Sequence, residues 1–221
     1  MTDTVWRWRS ALWEDNPAAV QLLGLCPLLA VSHSMANAIG LAVATVLVLT
    51  CANASIAALR VLIPTAARLP AYMLVIAGFT TIVVLLLQAF AFDLYERIAL
   101  FLQIIVTNCV ILARAERVAS RASIGAAATD GLTMAIGFAA VLILLGTIRE
   151  LVGHGTLFAG MDMIFGPVAK AWRIDVAEQG VLLAVLPPGA FIVFGLLLAG
   201  RNVITQRRDK RQAPRTLPSR T

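Results

Sequence analysis

The segment Asn16–Leu59, NPAAVQLLGLCPLLAVSHSMANAIGLAVATVLVLTCANASIAAL, runs for 44 residues without one Asp, Glu, Lys or Arg. A membrane-spanning helix needs roughly 20 apolar residues, so this stretch has room for two spans and a tight turn, with Ser32, His33 and Ser34 the natural turn residues. Further uncharged runs follow at Leu69–Phe92, Ile98–Ala113, Ala122–Ile148 (interrupted only by Asp130) and Gln179–Gly200. That makes six candidate spans. None shows the alternating segments of roughly 10 residues that build a membrane β-barrel, and helices are the other structure that satisfies every backbone group in lipid. The expected fold is an all-α integral membrane protein with six transmembrane helices and no soluble globular domain.

The composition agrees: of 221 residues, 60% are hydrophobic and 14% charged, and the charges cluster between the apolar runs. A net charge of +6 raises the question of nucleic acid. The positive residues lie beside the spans, however, so the membrane accounts for them and no nucleic-acid partner is expected. With six spans the two termini share a side with the segments Arg60–Arg68 and Arg114–Arg121, and that side carries 14 of the 18 Lys and Arg residues. The other side has Arg97, Arg149, Lys170 and Arg173. Such an excess places both termini in the cytoplasm. Residues 1–15 then form a cytoplasmic N-terminal segment, 16–200 the membrane domain and 201–221 a basic, disordered cytoplasmic tail facing lipid headgroups. The start, MTDTVWRWRSALWED, is too acidic and aromatic for a cleaved signal peptide, so the first span is expected to be retained.

The six spans are unequal. Pro17–Ser32 and Ile98–Ala113, the first and fourth, are each about 16 residues long, short of a comfortable crossing. Each carries a cysteine, in Cys26-Pro27-Leu28-Leu29-Ala30 and in Cys109-Val110-Ile111-Leu112-Ala113, and the two segments align without gaps. A span rich in small residues follows each, opening at Gly40 and at Gly125. Two copies of a three-span unit, about 16–92 and 96–200, point in opposite directions because three crossings are an odd number. Short or broken helices at matching places in an inverted repeat mark a site near the bilayer midplane.

Most cysteines in apolar helices are small packing residues, and Cys51, before Ala52-Asn53-Ala54-Ser55 and without a counterpart in the second half, reads as one. Cys26 and Cys109 differ because they occupy equivalent positions. Pro27 suits the first position of a helix and Asn108 is a capping residue, so each sulfur stands at a half-helix N-terminus, where free N–H groups favour a thiolate. Two such thiolates point to a metal or redox site. A disulfide requires an oxidising compartment, which a midmembrane position does not offer. Iron and zinc suit thiolates, but both want four ligands, so a partner must supply the remainder.

The set Asn16-Pro17, Leu23-Gly24-Leu25-Cys26-Pro27, Ile63-Pro64, Leu69-Pro70-Ala71-Tyr72, Asn108-Cys109, Arg114-Ala115-Glu116, Asp130-Gly131 and Arg149-Glu150 resembles the E-subunit family of the Rnf (Rsx) electron transport complexes. These are relatives of the D subunit of the sodium-pumping NADH:quinone reductase. The resemblance implies a subunit of a ferredoxin- or NADH-linked, ion-translocating oxidoreductase. It implies a midmembrane [2Fe-2S] cluster held by Cys26 and Cys109 together with two cysteines of the homologous A subunit, inserted upside down beside this one. Flavins are expected on other subunits, and no catalysis from this chain alone. Near the second cysteine the family more often has Gly where this chain has Ala113.

Asp130 lies about nine residues beyond Arg121, on the order of 10 Å into the fifth span, deep enough to mark an ion path. The bland alternative is an interfacial cap or a helix-to-helix contact using Asp130-Gly131. Arg149-Glu150 and the Arg114, Glu116, Arg117 group read as solvated span ends, and His33 and Gly153-His154-Gly155 as outer turns. Pro187-Pro188-Gly189 is expected to kink the sixth span. Two other functions compete: an inverted-repeat secondary transporter binding a small solute where the short helices meet, and a scaffold subunit without a cofactor.

Overall fold

The computed structural model describes residues 15–32, 34–64, 67–157, 174–175 and 186–212. The expectations for the N-terminal segment 1–14, for His33, for 179–185 of the sixth span and for the last residues of the tail fall outside these. Among the described residues the fold is all-α, apart from a two-residue antiparallel ladder of Thr156–Leu157 with Ile174–Asp175.

The helices in chain order are α1 (Leu25–Val31), α2 (Met35–Leu59), α3 (Arg68–Phe90), α4 (Phe92–Ile104), α5 (Cys109–Arg114), α6 (Ile124–His154) and α7 (Pro187–Gln212). A π-helical turn, Ala115–Ala119, continues α5. Four of these are long and apolar enough to cross a membrane, namely α2, α3, α6 and the part Pro187–Arg207 of α7. The pair Phe92–Ile104 and Cys109–Ala119, bent by 48°, gives a fifth crossing when taken as one broken span.

Local chemistry fits these elements. Pro70 stands in the first turn of α3, where its missing N–H costs nothing. The hydroxyls of Thr80 and Thr81 donate to the Ile76 and Ala77 carbonyls one turn back, which satisfies them without water. In α4, Leu94, Ile98 and Leu102 form a buried stripe at four-residue spacing, with Asp93, Glu96 and Arg97 on the exposed side.

The centre of the molecule is the pair α2 and α6. Both are 61% buried over their most apolar window, against 17% for α3 and α7, so the first two form the core and the others flank it. Their contact is made by small residues, which let the backbones approach. A Cβ placed on Gly146 would come within 2.9 Å of Ala38 Cβ, and one on Gly131 within 3.0 Å of Asn53 Nδ2 and 3.1 Å of the Leu49 carbonyl. Because 38 meets 146 while 49–53 meet 131, the two helices run antiparallel. That is the relation an inverted pair of second helices requires.

Four expectations need correction. The first span is not one helix: 17–20 form a turn, 22–24 are irregular, and only Leu25–Val31 are helical. Asn16 caps the turn, its Oδ1 accepting from the Ala18 and Ala19 amides, and the left-handed Leu22 and Gly24 end it before it extends into a helix. The fourth span starts earlier than expected, at Phe92, and carries the expected break before Cys109. Pro187 and Pro188 open α7 rather than kinking it, as suits prolines in a first turn. The tail is helical to Gln212, because its Arg, Lys and Gln residues are good helix formers once α7 is under way.

Candidate functional site

The chain approaches Cys26 along a pinned path. Asn16 is buried and its Nδ2 donates to the Gly137 carbonyl of α6 at 2.9 Å, fixing the start of the turn. Leu22 and Gly24 then take left-handed conformations, with φ of 54° and 72°. The Gly24 carbonyl accepts from Leu28, and the helix begins at Leu25, so Cys26 is its second residue and Pro27 its third. The first three amides of a helix have no intrahelical acceptor, so the proline breaks nothing. Cys26 therefore stands in a first turn, but the helix starts at Leu25, two residues before the Pro27 start that the sequence suggested.

Cys109 reaches the same position differently. After α4 the residues 105–107 turn, and Asn108 is extended with φ −66° and ψ 116°. Its Oδ1 accepts from the Val110 amide at 3.0 Å, an N-cap for the half-helix that opens at Cys109. Asn108 is the break that the sequence marked.

These two starts meet. A Cβ on Gly24 would lie 2.8 Å from Phe138 Cε2, 2.9 Å from Val110 Cγ2 and 3.1 Å from Asn108 Oδ1. Glycine is thus required at 24 twice over, by its positive φ and by the close approach of the second half-helix. Pro27, Leu28, Val110 and Ile111 are buried, whereas Cys26 and Cys109 are exposed and free. Each half-helix buries its apolar side in this chain and leaves its sulfur outside. That donor set fits a thiolate-bound group shared with a neighbouring molecule. Among the described residues no three or more His, Cys, Asp or Glu side chains gather as a metal site. Two cavities, of about 300 and 340 Å³, are lined by neither cysteine.

Cys51 is exposed on α2, while its neighbours Ala52 and Asn53 are the ones that pack. It is no core residue, and it lies in the second half of α2, away from the two half-helix starts. Asp130 faces Arg114, the last residue of α5, with 3.7 Å between Nη1 and Oδ1, both side chains 13% exposed. The helix-to-helix contact is therefore what the structure shows at Asp130, and Arg114 is not a solvated end. Gly155, in the left-handed region, ends α6 just after His154, in keeping with an outer turn.

Arg149 and Glu150 overturn the reading as solvated ends most clearly, being 2% and 1% exposed. Arg149 Nη1 donates to the Leu29 carbonyl at 3.1 Å and to Ser32 Oγ at 2.8 Å, and Nη2 to the Leu186 carbonyl at 3.4 Å. Glu150 Oε2 accepts from the Met35 amide at 2.6 Å, capping α2 where Ser34 makes no side-chain cap. One signal was available in the sequence. Leu151-Val152 carry the apolar pattern past the charged pair, which puts the pair inside a helix.

A family model described as "Rnf-Nqr subunit, membrane protein" matches residues 5–198. The chain is similar to proteins named as the E subunit of an ion-translocating oxidoreductase complex. The one from Pseudomonas paraeruginosa is 50% identical over 200 residues, covering 90% of this chain and 84% of the relative. That from Shewanella amazonensis is 50% identical over 213 residues, covering 95% and 92%. That from Haemophilus ducreyi is 49% identical over 206 residues, covering 90% and 91%.

Proposed function

This chain belongs to the Rnf-Nqr family of membrane subunits, and on that premise we propose that it is the E-type subunit of an ion-translocating oxidoreductase complex, as its relatives are named. Its part is to supply Cys26 and Cys109 as two of four thiolates for a [2Fe-2S] cluster, the other two coming from a homologous, oppositely inserted A-type subunit. The complex sits in the inner membrane with both termini of this chain in the cytoplasm. The observation that carries this reading is the meeting of two half-helix starts at Gly24, each with an exposed, free cysteine in its first turn.

The residues of this chain do three things. First-turn amides without an intrahelical acceptor stand beside each sulfur, where they can donate to a group bound there. Gly24, Asn108 and Phe138 fix the spacing of the two starts. The antiparallel pair α2 and α6 gives the half-helices a common, rigid base. Bound there, the cluster supplies one-electron chemistry, and a unit change of charge in a low-dielectric setting is worth on the order of several kcal/mol, enough to bias a conformational balance that gates a cation. Asp130 is a point on the proposed cation path only if its pair with Arg114 opens. Asp130→Asn in proteoliposomes would then lower ion uptake while electron transfer persists.

Low-temperature EPR of the intact purified complex, with and without dithionite, together with iron analysis, tests the function. A reduced [2Fe-2S] signal supports it. A colourless, iron-free complex that accumulates a solute favours the transporter reading. A reporter fused after Thr221 that is active only in the periplasm would overturn the orientation.

A further inference from the structure

We infer that Arg149 and Arg60 are a reciprocal pair of positioning residues, each reaching from the end of one long central helix to hold the connection between the other central helix and the cysteine-bearing half-helix that precedes it. This rests on the reading of Cys26 and Cys109 as shared ligands for its purpose, though not for its geometry.

Arg149 stands near the end of α6. Its guanidinium grips the Leu29 carbonyl, one of the last four of α1 that lack an intrahelical donor, and Ser32 Oγ in the link to α2. Glu150 beside it takes the Met35 amide on the far side of that link. Together they fix both ends of the connection between the Cys26 half-helix and α2. Arg60 follows the last residue of α2. Its Nη1 donates to the Arg121 carbonyl at 2.8 Å and the Ala122 carbonyl at 2.9 Å, in the link between the Cys109 half-helix with its π turn and α6. Since α2 and α6 are antiparallel, the two arginines lie at opposite ends of one helix pair and reach crosswise.

An arginine is suited to both places because its planar fork offers several donors to acceptors that an ammonium would take singly. The half-helix α1 is seven residues long and α5 six, too short to hold themselves in place, so their far ends need an external anchor. The anchors are unequal. Arg149 is buried and grips within about one turn of Cys26, whereas Arg60 is exposed and grips well downstream of Cys109.

The test is site-resolved thiol labelling in the intact, membrane-bound complex after iron is removed with a chelator. A small alkylating reagent is added and the modified Cys26, Cys109 and Cys51 peptides are quantified over time. Arg149→Met is expected to speed labelling of Cys26 about tenfold, the factor for one lost charge-assisted hydrogen bond, with Cys109 and Cys51 changed by less than about twofold. Arg60→Met is expected to speed Cys109 and spare Cys26, by a smaller factor. Arg149→Lys should fall between wild type and Arg149→Met, and in the iron-loaded complex it should shift the EPR signature less than Met does. If Arg149→Met fails to accumulate, the lysine variant and Arg60→Met still give the crosswise comparison. Equal acceleration of all three cysteines, or of none, overturns the pairing. An iron-free wild-type complex that shows the crosswise pattern keeps the pairing and defeats the cluster.

Discussion

At Cys26 the chain enters its first helical turn through a left-handed glycine and is held from behind by a buried arginine, whereas at Cys109 it enters through an asparagine cap and continues into a π turn whose link to α6 is held by an exposed arginine. The outcome is the same in both, a free, exposed sulfur on the second or first residue of a half-helix whose apolar side is buried. The difference shows what the two halves share. Backbone conformation is not repeated, and neither are the capping residues; the placement of the sulfur and a crosswise arginine are. Requirements are therefore position-specific on each side, and substitutions should separate them.

The largest effect is expected at the first half-helix. Gly24→Ala must place a Cβ at positive φ and within 3 Å of Phe138 and Val110. Strain and overpacking together cost about 3 kcal/mol, read as a lowered midpoint of thermal or denaturant unfolding of the purified complex. A loss well below that would mean that the Val110 and Phe138 side chains yield, and that the close approach does not fix the spacing of the two starts.

A smaller effect is expected at the second. Asn108→Ala removes one capping hydrogen bond and should cost about 1 kcal/mol, with Asn108→Asp, which keeps the acceptor, recovering most of it. If the alanine variant were as damaging as Gly24→Ala, the cap would be doing more than holding the helix start. The smallest effect belongs to Cys51→Ala. The residue is exposed and lies away from the half-helix starts, so stability should change by less than about 0.5 kcal/mol and the EPR signal should persist. Loss of the signal there would mean that the wrong cysteines had been paired.

Much of the fold was readable as solvent preference. The runs Leu69–Phe92 and Ala122–Ile148 correspond to Arg68–Phe90 and Ile124–His154, because a charge-free stretch of that length has few options in lipid. Hydropathy does not report backbone conformation, however, so Pro17–Leu23 looked like a helix although the left-handed Leu22 and Gly24 end it after one turn. Charges read as boundaries misled in the other direction. Arg149 and Glu150 are buried because carbonyls and an amide at the ends of other helices satisfy them; Leu151-Val152 marked the pair as inside a helix but not what covers it. The candidate site residues Cys26 and Cys109, whose half-helix starts meet, stood out through their matching segments. Gly24, which joins their two starts, was visible only as part of the family resemblance.

The most direct test of the central claim is low-temperature EPR on the dithionite-reduced intact complex carrying Cys26→Ser or Cys109→Ser, with this subunit quantified in the membrane. Each substitution alone should abolish the [2Fe-2S] signal while the subunit remains at wild-type level, since two thiolates of four come from here and the spans are still apolar. A wild-type signal in either variant, or a complete cluster on this subunit purified alone, would contradict the shared site.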